Sequence, residues 1–66
     1  MKELFELLLQ SKKSAEVHCI GGGIKPFSGY VVKYTDELLV IEVGFNIKTK
    51  YFIPIKNIIA IRVDDF

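Results

Sequence analysis

Few side chains in this sequence have chemistry to offer, and their spacing decides what that chemistry is. His18 and Cys19 adjoin, but neither has a second His or Cys nearby to complete a metal-ligand set. His18 therefore reads as a surface or hydrogen-bonded residue, and Cys19 as a small buried hydrophobe. Asp64 and Asp65 are adjacent carboxylates near the chain end. Successive strand residues point to opposite faces, which disfavours a shared acid-base or metal-binding role. The run Gly21-Gly22-Gly23 lacks the G-x-x-x-x-G-K-S/T spacing of a phosphate loop and opens a strand, so it reads as a turn. No nucleophile–base pair stands out, and the expectation is a protein without catalysis, metal or cofactor. Lys56 and Asn57 are the best candidates for a nucleic-acid contact. One lysine per copy, repeated around an oligomer, concentrates positive charge; in the plainer reading Asn57 caps a turn and Lys56 is solvated. Tyr30, Tyr34 and Tyr51 offer faces that can stack on bases, although aromatics in strands also serve a core or an interface.

Size and composition narrow the frame. Sixty-six residues make one domain, spanning residues 1–66. A chain this short buries only about 60% of the surface that its unfolded form exposes. With one cysteine it has no intrachain disulfide, so association of copies is the expected supplement to its core. A content of 50% hydrophobic residues agrees with that. Nine Lys or Arg against eight Asp or Glu leave a net charge of +1, so any nucleic-acid binding must rest on a local patch. No apolar run is long enough to span a bilayer, and no membrane partner is expected. Glu3 and Glu6 lie among the N-terminal leucines, unlike a signal peptide's uncharged core. Together with the free thiol, this points to the cytoplasm.

The elements that must position these residues follow from hydrophobic period. Residues 3–13 read as an amphipathic helix, with Leu4, Leu7 and Leu8 in one stripe that Phe5 and Leu9 widen. Glu3 and Glu6 in its first turns and Lys12 and Lys13 in its last complement the helix dipole. Five short strands follow, at about 15–20, 27–34, 38–43, 50–55 and 58–63. Gly29, inside the second strand, marks a sharp bend or a close backbone approach. The expectation is a mainly β fold: a helix followed by a five-stranded, strongly bent antiparallel barrel. Pro54 lacks an N–H and belongs at the end of the fourth strand or at a bulge.

The last two strands are apolar on both faces. Tyr51, Ile53 and Ile55 share one face of the fourth, with Phe52 opposite. Ile59, Ile61 and Val63 share one face of the fifth, with Ile58 and Ala60 opposite. A barrel has one inside, so the second apolar face calls for a neighbour. If one strand edge meets a different edge of the next copy, the contact is head-to-tail and closes into a ring. Phe52, Ile53, Ile58, Ile59, Ile61 and Val63 are the expected interface residues. Phe45 and Ile47, apolar in the loop before the fourth strand, either pack between subunits or meet an outside protein.

Gly23-Ile24-Lys25, then Gly29, the loop near Asp36, Leu39-Val40-Ile41 and the closing Ile58-Ile59-Ala60-Ile61 resemble the Sm and Sm-like superfamily. The likeness spans nearly the whole chain and looks closest to the bacterial branch, Hfq. It implies an SH3-like (Sm-like) barrel whose fourth strand pairs with the fifth strand of the next subunit in a ring. It also implies single-stranded RNA bound by two loops, here Tyr34 to Leu38 and Ile55 to Asn57. The RNA-contacting candidates are then Tyr34, Thr35, Asp36, Lys56 and Asn57. The family's loop Asp falls at Thr35 or Asp36. Its base-stacking position falls at Glu37 or Leu38, neither aromatic, and the bacterial Lys-His pair falls at Ile55-Lys56, which keeps one cation.

Overall fold

A computed structural model describes residues 2–20 and 26–64; the turn expected at Gly21-Gly22-Gly23, the Gly23-Ile24-Lys25 segment of the resemblance and the carboxylate of Asp65 lie outside them. The helix α1 (Lys2–Ser11) is followed by strands β1 (Ser14–Cys19), β2 (Phe27–Tyr34), β3 (Leu38–Val43) and β4 (Thr49–Pro54). A single 3-10 turn, Ile55–Asn57, then leads into β5 (Ile58–Arg62). The protein is mainly β.

α1 forms because Lys2 to Ser11 holds leucines, charged residues and Gln, with no Gly, Pro or β-branched residue. Phe5 and Leu8 are fully buried, while Leu4 and Leu9 flank them. Leu7 is 50% exposed, so the buried stripe centres on Phe5 and Leu8 and leaves Leu7 outside it. The helix stops two residues short of the expected 13. Lys12 adopts a left-handed conformation (φ 57°) while its N–H still donates to the Leu8 carbonyl at 3.1 Å. That turn, usually made by glycine, sends the chain directly into β1. Lys12 and Lys13 consequently lie beyond the last helical turn.

All strand pairings are antiparallel, in the order β4-β3-β2-β1-β5. The sheet is not closed: β4 and β5 are its two edges, and no ladder joins them. This corrects the expected barrel. The 3-10 turn re-aims the chain after Pro54 instead of folding it back as a hairpin, so the last two strands never lie side by side.

The sheet is nevertheless strongly rolled. Laid flat, β4 and β5 would be four strand spacings apart, roughly 19 Å. The four residue steps from Pro54 to Ile58 reach at most about 14 Å. Pro54 also pairs with Leu38 at one end of the sheet, whereas Ile58 pairs with Cys19 at the other. Only a sheet bent back on itself satisfies both. Its curvature brings the ring of Phe27, on β2, to 4.7 Å from that of Tyr51 on the non-adjacent β4.

Two devices bend the strands. Gly29 is buried opposite Ala15, and a Cβ there would run into the Glu42 carbonyl oxygen and come within 2.9 Å of Val43 Cγ2. Register shifts between Val31 and Lys33 and between His18 and Cys19 add local twist. Phe5 and Leu8 of α1 close the hollow over Ala15, Val17, Val31, Leu39, Ile41 and Ile53.

The second register shift also changes which faces β5 presents. His18 pairs with Ala60 and Cys19 with Ile58, leaving Ile59 unpaired between them. Simple alternation put Ile59 with Ile61 and Val63; instead Ile58, Ile61 and Val63 pack on the core, while Ile59 is 62% exposed. Gly29→Ala should destabilise the fold by about 1–3 kcal/mol through overpacking, measured by chemical denaturation. An unchanged midpoint would mean that the backbone approach at Gly29 is not a constraint.

Candidate functional site

The pairing of β3 with β4 brings the two connections singled out from the sequence to one open cleft. Its walls are Thr35, Asp36, Glu37 and Leu38 from the β2–β3 loop, and Pro54, Ile55 and Lys56 from the end of β4 and the 3-10 turn. Two links join the walls: Leu38 pairs with Pro54, and the Ile55 N–H donates to the Glu37 carbonyl at 2.9 Å. Pro54, with no N–H to give, ends its strand as expected.

Thr35 builds the first wall. Its N–H donates to the Leu38 carbonyl at 2.8 Å, and its Oγ1 accepts from the N–H groups of Glu37 (3.2 Å) and Leu38 (3.0 Å). The hydroxyl thus satisfies backbone donors that the tight reversal leaves over. Asp36 is exposed and forms an ion pair with Lys2 in the first turn of α1. The hydrogen bond from Lys2, and then its charge, hold the Asp36 carboxyl below the usual carboxylate range, and the same contact raises Lys2. On the opposite wall Lys56 is exposed and makes no ion pair among the described residues.

The five candidate RNA residues therefore divide. Thr35, Asp36 and Lys56 line the cleft together. Tyr34 is turned under the helix, its ring 5.8 Å from Phe5 and its hydroxyl donating to Glu6 Oε2 at 3.1 Å. Burial first, then the Glu6 hydrogen bond, raises its pKa. Asn57 accepts at its carbonyl from the Ile20 N–H at 2.8 Å and lines a separate seam with Cys19, Phe27 and residues 51–54. Sequence reasoning did not single out Lys2; no local pattern connects it to Asp36, thirty-four positions away in the chain.

The candidate interface residues divide as well. Phe52 (63% exposed) and Ile59 (62%) project from opposite edges of the sheet, one from each edge strand. Ile53, at 4%, belongs to the chain's own core, and Ile58, Ile61 and Val63 are half-buried against it. Phe45 (96%) and Ile47 (83%) stand out at the β3–β4 turn. That turn is tight at Gly44 (φ 118°), where a side chain would strike the Ile47 carbonyl.

Elsewhere, His18 Nε2 lies 2.8 Å from Glu16 Oε1, and Cys19 is a half-buried free thiol. Among the described residues no group of three or more His, Cys, Asp or Glu is placed to hold a metal ion. No described helix is long and apolar enough to cross a membrane. Compared with family models, with curated proteins and with solved structures, the chain finds no match.

The Lys2–Asp36 pair has a checkable consequence. Because the folded Asp36 value is lowered, the pair supports the fold above the ordinary carboxylate range, and that support is lost as pH falls through the lowered value. In an NMR titration Asp36 should show a midpoint below the usual Asp range, shifting upward in Lys2→Ala. A midpoint indifferent to that substitution would contradict the pair.

Proposed function

We propose that this chain is an Sm-like subunit that assembles with copies of itself into a ring through β4 and β5, and binds single-stranded RNA at the cleft. The role is regulatory or that of an RNA chaperone, without catalysis, and its setting is the cytoplasm. The observation that carries the reading is the pair of sheet edges, unpaired among the described residues, with Phe52 and Tyr51 exposed on one and Ile59 on the other. An open edge is a template for another strand. Two different edges on one subunit allow head-to-tail closure, which satisfies both on every copy. Burying the exposed remainder of Phe52 and Ile59 would contribute roughly 1–2 kcal/mol each, which matters to a domain with so small a core.

Two further features support the RNA half. The β2–β3 loop and the 3-10 turn, far apart in sequence, form the walls of one cleft, and Lys56 stands there exposed. A ring repeats that lysine around its axis, so a near-neutral chain still presents concentrated positive charge to a phosphate backbone.

Light scattering should give a mass several times that of the 7.5 kDa chain. Phe52→Asp or Ile59→Asp should reduce it to a folded monomer. These positions are better probes than Ile61, whose contact with the core makes its replacement a folding defect. A wild-type monomer at micromolar concentration would refute the ring.

For RNA, fluorescence anisotropy with short U-rich and A-rich strands at two salt concentrations should show binding that weakens with salt. Lys56→Ala should weaken it further, by up to about tenfold. No binding to either strand at low salt would sink the RNA reading.

A second reading rests on the exposure of Phe45 and Ile47: an assembly module that meets another protein through this turn and has lost RNA binding. RNA-free material together with a protein partner lost on Phe45→Ser would favour it.

A further inference from the structure

The cleft has a charge problem. Its walls carry two carboxylates, Asp36 and Glu37, against one lining cation, Lys56. A phosphate approaching Lys56 therefore meets an excess of negative charge from the facing wall. Lys2 changes that balance. Its ammonium pairs with Asp36 Oδ1 while both side chains stay largely exposed, at 66% and 80%. An ammonium has three donors, so an exposed Lys2 can pair with Asp36 and still face an incoming anion.

The position of Lys2 is built into the fold. Lys2, Phe5 and Glu6 are spaced i, i+3, i+4 and so share one face of α1. Each has a partner at the end of β2 or in the loop after it: Lys2 on Asp36, the Phe5 ring beside Tyr34, and Glu6 accepting from the Tyr34 hydroxyl. Phe5 is fully buried, which anchors the turn that carries Lys2. Exposed charges interact over about 8–10 Å in physiological salt, so an ammonium in direct contact with Asp36 alters the potential at the cleft.

Building on the reading of this cleft as an RNA site, we infer that Lys2 is a positioning residue for the RNA phosphate. By neutralising Asp36 it removes the net negative charge that the phosphate would otherwise meet, and Lys56 becomes an effective contact only while Lys2 is in place. The helix is then part of the binding site as well as the cover of the core. In an oligomer the effect is repeated once per copy.

The test is anisotropy with a U-rich RNA and, in parallel, inorganic polyphosphate of similar length, at low and moderate salt. Lys2→Ala should weaken binding about threefold or more at low salt, the scale of one exposed charge, and the difference should narrow at higher salt. Lys2→Arg should bind as wild type does. Adding Asp36→Asn to Lys2→Ala should restore binding, since it removes the uncompensated carboxylate without repairing the helix contact. Wild-type binding with Lys2→Ala unchanged, or a loss that Asp36→Asn does not rescue, overturns the role of Lys2 alone. Wild-type protein that binds polyphosphate but not RNA overturns the RNA reading, and the Lys2 series is then decided on polyphosphate. Binding of neither probe overturns both.

Discussion

Between Pro54 and Ile58 the chain has three residues, Ile55 to Asn57, in which to pass from one edge of a five-stranded sheet to the other. That short passage is the constraint on which the rest of the structure depends. It cannot be met by a flat sheet, and Gly29 and the two register shifts are the places where the backbone yields to it. Rolling the sheet creates a concave interior, which Phe5 and Leu8 of α1 fill. The β2–β3 loop meets the end of β4 through the β3–β4 ladder, and the 3-10 turn that carries the chain across the roll supplies the cleft's other wall.

What the roll leaves undone is equally informative. A full barrel would have paired β4 with β5 and removed both edges; here they remain open. Each edge carries an apolar side chain pointing away from the core, Phe52 on one and Ile59 on the other. The extra residue in β5 makes this possible, because it turns Ile59 outward while keeping Ile58 and Ile61 on the interior. A chain with two unlike edges and a small core has a physical reason to associate, and in the proposed ring the cleft would recur once in every copy.

Much of this architecture was legible from period and turn residues. All six regular elements lie where apolar spacing puts them, within one residue at every end except the helix's last, which is two short, and Gly29 and Pro54 occupy the close-approach and strand-end positions their chemistry suggests. Three things were not legible. The helix end at Lys12 is hidden because the left-handed residue is a lysine where glycine would be the signal. The faces of β5 are misassigned by alternation, since a bulge leaves no mark in a run of Ile and Ala. Closure of the sheet depends on the direction in which the 3-10 turn aims the chain, which no local pattern encodes. Of the RNA candidates that the resemblance implies, Thr35, Asp36 and Lys56 line one cleft, whereas Tyr34 and Asn57 are diverted to the helix and to the seam by contacts distant in sequence. Lys2 escaped notice for the same reason.

The central claim is that both sheet edges are satisfied by neighbouring copies, and amide hydrogen exchange resolved by residue tests it most directly. If the edges pair between subunits, the outward-pointing amides of β4 and β5 will be protected to the same degree as those of β2 and β3. That protection will fall on dilution, as assembly reverses. Rapid, concentration-independent exchange of those amides, with β2 and β3 still protected, would show a solitary subunit with two open edges and would contradict the account.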